Sequence, residues 1–455
     1  PADSEFNNYA VAPVTAQFDF SKALAGRTLK AGEFSFVLKD ATGKVLQTKT
    51  NDASGKVAFD ALTYKNNEVG IHKYTVEEVK GTETGIEYDP MKAEVTVTVT
   101  KAGHTLTATK ALPTDTEFNN TFTPAATSAQ FKFTKKLEGK ALEADAFTFE
   151  LLENGQVLQT KKNAADGTIQ FDAISYDKEG THTYTVREVA GTDTDIDYDT
   201  MNAEVTVKVT KDATTGILTA NVVMPADSEF NNYAVAPVTA QFDFSKVLAG
   251  RTLKAGEFSF VLKDATGKVL QTKTNDASGK VAFDALTYKN NEVGIHKYTV
   301  EEVKGTETGI EYDPMKAEVT VTVTKAGHTL TATKALPTDT EFNNTFTPAA
   351  TSAQFKFTKK LEGKALEADA FTFELLENGQ VLQTKKNAAD GTIQFDAISY
   401  DKEGTHTYTV REVAGTDTDI DYDTMNAEVT VKVTKNATTG VLTANVVMPA
   451  DSEFN

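Results

Sequence analysis

Cysteine and tryptophan are both missing from this chain of 455 residues. Without cysteine there is neither a disulfide nor a thiolate metal site, so an extracellular protein would need another staple. Histidine is scarce and scattered singly (His72, His104, His182 and their copies), which argues against metal binding. No apolar run approaches the ~18 residues of a membrane span. No leader peptide and no C-terminal anchor are visible, and the pattern starts and stops midway, so the chain reads as an excerpt of something longer. Basic clusters are lacking as well. The net charge of −19 describes a surface that repels nucleic acid and neighbouring molecules, consistent with a monomer. There is no Ser/His/Asp constellation, phosphate loop or pair of catalytic carboxylates, so catalysis on external substrates is disfavoured and no cofactor is expected. The acidic run Asp193–Asp199 resembles a calcium loop but lacks the glycine and terminal glutamate of the EF-hand pattern. It reads as a solvated loop.

What the chain does have is strand-forming residues and repetition. Hydrophobic residues make up 40%, enough for real cores, and valine, threonine, phenylalanine and tyrosine are abundant. The segment Pro1–Met224 recurs as Pro225–Met448 with three differences, Ala23/Val247, Asp212/Asn436 and Ile217/Val441. Each long period has two related halves. The stretch from Gln17 matches that from Gln130, HKYTVEEV matches HTYTVREV, and EFNNTF matches EFNNYA. The order is therefore A–B–A–B. Residues 1–13 read as the last strand of a preceding repeat plus a linker. Domains follow at 14–124, 125–236, 237–348 and 349–455, the last truncated at its final strand. Short linkers with one proline each suit beads held in line.

Period-two alternation runs through domain A. It is carried by Phe18 and Phe20, by Phe34, Phe36 and Leu38, by Val57, Phe59 and Ala61, and by Tyr74 and Val76. Ala93 to Val99, Leu106 and Ala108, and Phe118 and Phe122 continue it. Turn signals such as DATGK, ASGK and KNNEVG separate the runs. About seven short strands in ~110 residues predict an all-β, immunoglobulin-like sandwich, repeated in tandem. TLKAGE (28–33) could form a short helical turn.

Strand parity then places three polar residues on apolar faces. Lys22 follows Phe18 and Phe20, Glu78 follows Tyr74 and Val76, and Asn120 lies between Phe118 and Phe122. Domain B repeats the set as Lys135, Glu188 and Asn232, although Glu77 of A has become Arg187. The third domain offers Lys246, Glu302 and Asn344. For any one of these the bland reading is a charge emerging at a strand end; the coincidence of all three is what singles them out. Burial lowers a lysine pKa and raises a glutamate pKa. A neutral amine is a nucleophile, a neutral acid can polarise an amide and relay protons, and the asparagine Cγ is an electrophile. Attack by lysine Nζ with loss of ammonia would leave an amide between two side chains, with no cofactor.

The residues FDFSKALAGR (18–27), YTVEE (74–78) and FNN (118–120), with FKFTKKLEGK, YTVRE and FNN in domain B, resemble the streptococcal pilin isopeptide-linkage domain. That domain is found in T-antigen backbone pilins and in repeat-bearing surface adhesins. The resemblance implies bonds Lys22–Asn120, Lys135–Asn232 and Lys246–Asn344, with Glu78, Glu188 and Glu302 as catalysts. Asn119, Asn231 and Asn343 are the fallback partners. The fourth domain supplies Lys359 and Glu412 but only Asn455, the first of its asparagine pair, so either no bond or a misregistered one is expected there. Asn7 and Asn8 belong to a last strand whose domain body is absent, which would allow strand donation between molecules. The implied protein is extracellular and attached to the wall of a Gram-positive bacterium, a stalk whose host protein or glycan partner binds a distal domain. Ligand-binding repeats acting by multivalency and a pilus shaft subunit are the alternatives.

Overall fold

The computed structural model describes residues 5–455. The chain divides into two compact units, residues 1–234 and 235–455. Each holds one A and one B sandwich with its own apolar core. Domain A shows the plan. Its strands are β1 (Val14–Ala16), β2 (Asp19–Ala25), β3 (Ser35–Asp40), β4 (Val45–Thr50), β5 (Lys56–Ala58), β6 (Leu62–Tyr64), β7 (Gly70–Val79), β8 (Ile86–Glu87), β9 (Lys92–Ala102), β10 (Thr105–Ala111) and β11 (Glu117–Phe122). A five-stranded sheet in the order β10-β9-β7-β3-β4 faces a four-stranded sheet in the order β5-β2-β11-β8, and β1 pairs with β6.

The sheets form because each strand has one apolar face to bury. Phe36, Leu38, Tyr74, Val76, Val95 and Val97 from the larger sheet meet Phe20, Val57 and Phe118 from the smaller one. The first and last long strands, β2 and β11, are neighbours and run parallel, with Lys22 opposite Phe118 and Leu24 opposite Asn120. Lys22 and Asn120 are therefore diagonal neighbours on one face. Glu78, on β7 beside Phe36 of β3, reaches them from the other sheet.

Three local expectations are corrected. Residues 28–33 contain a turn and no helix; among the described residues the helices are two short 3₁₀ turns, Asn66–Glu68 and Asn290–Glu292. Ala61 is exposed, because β5 stops at Ala58 and the Gln47 side chain clasps the Asp60 backbone on both sides. Phe122 is only half buried: its ring lies 4.8 Å from the Arg27 guanidinium. There it meets domain B, whose Ala213 carbonyl accepts from both the N–H and the hydroxyl of Thr28, at 3.0 and 2.9 Å.

One glycine fixes where Lys22 sits. The turn before β5 is held by Asp52, which accepts from the N–H groups of Ser54 and Lys56. Gly55 in this turn has φ +86°, and its carbonyl accepts from the Lys22 N–H at 2.7 Å. A Cβ there would lie 2.2 Å from the Lys22 carbonyl oxygen. Gly55→Ala is therefore expected to destabilise the first domain by on the order of 2 kcal/mol, through strain and a backbone clash. Calorimetry of the whole chain checks this, and an unaltered transition would show that the turn relaxes freely.

Candidate functional site

Lys22 enters the core because β2 alternates without interruption after Phe20. Its side chain is wholly enclosed, with Nζ 3.0 Å from Glu78 Oε2 and 4.8 Å from the Phe34 ring centre. Phe34 belongs to no strand. It is held by Asn51, a buried side chain whose Oδ1 accepts from the Phe34 N–H at 2.8 Å while its Nδ2 donates to the carbonyls of Lys30 and Asp52. Phe36 and Phe118, with ring centres 5.1 Å apart, close another side.

Asn120 faces the same carboxylate. Its Nδ2 donates to Glu78 Oε1 at 2.7 Å, and its Oδ1 accepts from the backbone N–H of Asp89 at 2.8 Å. The Glu78 side chain, 1% exposed, thus bridges a lysine on one oxygen and a carboxamide on the other. Burial pushes the Lys22 amine below its ordinary value, against the attraction of Glu78. Burial likewise pushes the Glu78 carboxyl up, against the opposing pull of Lys22. Both shifts favour a neutral amine beside a neutral acid.

The arrangement is repeated. In the second domain Lys135 is 2.8 Å from Glu188, Asn232 Nδ2 is 2.6 Å from Glu188 Oε1, and the Asp199 N–H is 2.7 Å from Asn232 Oδ1. In the third the corresponding distances are 2.9 Å for Lys246–Glu302, 2.8 Å for Asn344–Glu302 and 2.8 Å for Asp313–Asn344. Phe147 and Phe258 stand over the two lysines. The fallback residues Asn119, Asn231 and Asn343 do not join these sites. They point to the other face of the strand, and their backbone N–H groups donate to Asp89, Asp199 and Asp313.

The fourth domain differs. Lys359 lies 3.1 Å from Glu412, but Asn455 is exposed and occupies the place of Asn119, its N–H donating to Asp423. Asn455 as the partner of Lys359 is therefore corrected: a residue one position earlier on a strand faces the opposite side. Here the Asp423 N–H donates to Glu412 Oε2 at 2.9 Å, and Glu412 Oε1 is buried without a hydrogen bond. At the other end of the chain, Asn7 and Asn8 are exposed and in no strand.

Sequence reasoning missed Asp89, Asn51 and Phe34 in their supporting roles. The available signal was internal: EYDPM and DYDTM, like TKTND and TKKNA, keep the aspartate and the asparagine while their neighbours change. In the run 193–199, the member that reaches the site is Asp199.

Tandem sandwiches, three of which enclose a lysine, a carboxylate and a carboxamide between their sheets, define a class of self-contained β-domains with a polar triad in the core. The chain belongs to the family described as FctA, Spy0128-like isopeptide containing domain, which it matches four times, over residues 18–123, 131–234, 242–347 and 355–455. It is 30% identical over 278 residues to the serine-aspartate repeat-containing protein D of Staphylococcus aureus (strain Newman), an alignment that takes in 55% of this chain and 19% of that protein. Solved structures similar to it include two B repeat units of the collagen binding protein of Staphylococcus aureus, at 18% identity over 96% of this chain and 100% of that one, with a TM-score of 0.18. Another is the major pilin T-13 of Streptococcus pyogenes, at 16% identity over 49% and 98%, with a TM-score of 0.19.

The lowered Lys22 value has a consequence for stability. In a Glu78→Ala chain, Lys22 keeps its burial and loses its acid. The folded domain then sheds a proton that the unfolded chain retains up to the ordinary lysine value of about 10.4. Stability therefore rises with pH between the depressed folded value and the ordinary one. The first domain's melting temperature should climb as pH rises toward the ordinary lysine value of about 10.4, and this slope should vanish in the Lys22→Met, Glu78→Ala double variant. A flat profile in the single variant would mean that Lys22 reaches solvent.

Proposed function

We propose that each sandwich with a complete triad closes an isopeptide bond on itself, and that the chain is a stalk segment of a Gram-positive surface protein. The observation that carries this reading is the enclosed carboxylate that holds lysine on one oxygen and asparagine on the other, in three domains. Family membership supports it. The bonds are Lys22–Asn120, Lys135–Asn232 and Lys246–Asn344. Lysine Nζ bonds to asparagine Cγ, the Cγ–Nδ2 bond breaks, and ammonia leaves. The glutamate takes a proton from Nζ and returns one to Nδ2, ending as it began. Contact in a dry site supplies the effective concentration. Each domain reacts once, so this is maturation and not turnover.

The bond joins β2 to β11, the strands nearest the two ends of the domain. Closing a loop of about 100 residues restricts the unfolded chain by roughly 4–5 kcal/mol on the loop-entropy model. Under tension the two strands are loaded in opposite directions, and an amide between them carries the force past the hydrogen bonds. Sandwiches in series with such bridges make an extended, protease-resistant stalk. It lies outside the cell, attached to the wall, and holds a domain that binds a host protein or glycan away from the surface.

Intact mass of the denatured 455-residue chain tests the chemistry. It should fall short of the sequence mass by three ammonias, and Lys22→Ala or Asn120→Ala should each restore one. A chain at its full sequence mass would overturn the reading. The Asn120→Ala domain should also lose about 4 kcal/mol of stability and become open to trypsin, as followed by melting and digestion.

A further inference from the structure

Asp89 touches the reacting groups in a way the Lys–Glu–Asn scheme does not use. Its backbone N–H points at Asn120 Oδ1 from 2.8 Å, and Asp199 and Asp313 repeat this at 2.7 and 2.8 Å. Its carboxylate is engaged at both ends. Oδ1 accepts from the Met91 N–H at 2.9 Å and closes a turn, while Oδ2 accepts from the Asn119 N–H at 2.7 Å on the residue next to Asn120. The side chain thus pegs the loop to the last strand and aims its own N–H at the neighbouring carboxamide.

The fourth domain is an internal control. Its site receives no asparagine side chain, yet the same turn and the same peg are present, from Met425 and Asn455 to Asp423. With no carboxamide to meet, the Asp423 N–H donates to a carboxylate oxygen of Glu412. The donor is held in place by the loop and takes whichever oxygen the site offers.

We infer that the backbone N–H of Asp89, and likewise of Asp199 and Asp313, is the oxyanion donor for isopeptide formation, with the aspartate carboxylate as the group that positions it. This rests on the proposed crosslinking. As Lys22 Nζ bonds to Asn120 Cγ, the carbonyl π electrons move onto Oδ1. The N–H already aimed there stabilises the negative charge in a site enclosed between the sheets. When the tetrahedral centre collapses, that pair re-forms the carbonyl and Nδ2 departs as ammonia, carrying the proton relayed by Glu78. A fixed donor of this kind is worth about 10²–10³ in rate.

The experiment follows bond formation during refolding of the full chain, by peptide mapping of the three crosslinks in one sample. The second and third domains then serve as internal clocks for variants in the first. Asp89→Pro removes the N–H and should slow the Lys22–Asn120 bond by about 10²–10³ relative to the other two. Asp89→Ala keeps the N–H but loses both pegs and should be slowed less, and Asp89→Asn, which keeps one acceptor, should recover part of the rate. In a Lys22→Met background, where no bond can form, the ¹³Cγ resonance of Asn120 reports the hydrogen bond to its carbonyl and should move upfield in Asp89→Ala. That measurement decides the matter if Asp89→Pro does not fold. Full sequence mass in the unaltered chain would defeat the crosslinking reading. Three ammonias lost, with wild-type first-domain rates and an unmoved resonance in Asp89→Ala, would defeat this inference alone.

Discussion

Each complete sandwich is organised around one enclosed carboxylate that must satisfy two different partners at once. Glu78 has two oxygens, and the fold gives one to an amine and the other to a carboxamide. The surrounding aromatic rings make the demand strict. A lysine charge in such a place is costly unless it is paired. The burial that penalises the charges also pushes the amine down and the acid up, so the environment that makes the ion pair expensive favours its neutral form. Packing and chemistry are here a single constraint.

That constraint explains the topology around it. Lys22 and Asn120 come from parallel neighbouring strands with a two-residue offset, which sets them side by side on one face. Glu78 comes from the opposite sheet, so the site bridges the sandwich and does not sit at its rim. Small loop features then fix the geometry. Gly55 lets the turn close against β2, Asn51 brings Phe34 over the amine, and Asp89 ties the last loop to the last strand. In the fourth domain the lysine-bearing strand is Lys356–Lys359, paired with Thr392–Gln394 on one side and with Glu453 and Phe454 on the other, while its counterpart in the second domain continues from Lys132 to Glu138 opposite Tyr233.

The three residues of the buried triad were legible because strands impose a period of two. A lysine two positions after Phe20, a glutamate two after Val76 and an asparagine two after Phe118 each break an apolar face, and a parity rule detects a broken face. The same rule shows why Asn455 fails, since it is one residue out of phase. Asp89 and Asn51 lie where no strand imposes a period, so position in the chain says nothing about where they point, and parity shows that Phe34 is buried but not that it stands over the amine. The partners that fix Asn51 and Asp89 are backbone N–H and carbonyl groups, which every residue possesses and no sequence distinguishes. Ala61 was misjudged for a related reason: the alternation from Val57 and Phe59 continues in the letters, but a side chain, Gln47, had already captured the backbone at Asp60.

The energetic logic favours the bond over the contact it replaces. A buried ion pair returns little net stability, because desolvation cancels most of the attraction. An amide between Lys22 and Asn120 would remove one ionisable group outright and leave Glu78 as a neutral acid with an amide to bond, which burial already favours. A lysine that gains little from its ion pair with Glu78 would then carry the strongest link between β2 and β11. Those strands are the ones that tension along a tandem array would shear. With Lys22 and Asn120 on these strands, and not on two strands of one hairpin, a single covalent bond would suffice for the whole domain. A linkage closer in sequence would protect only the loop it closed.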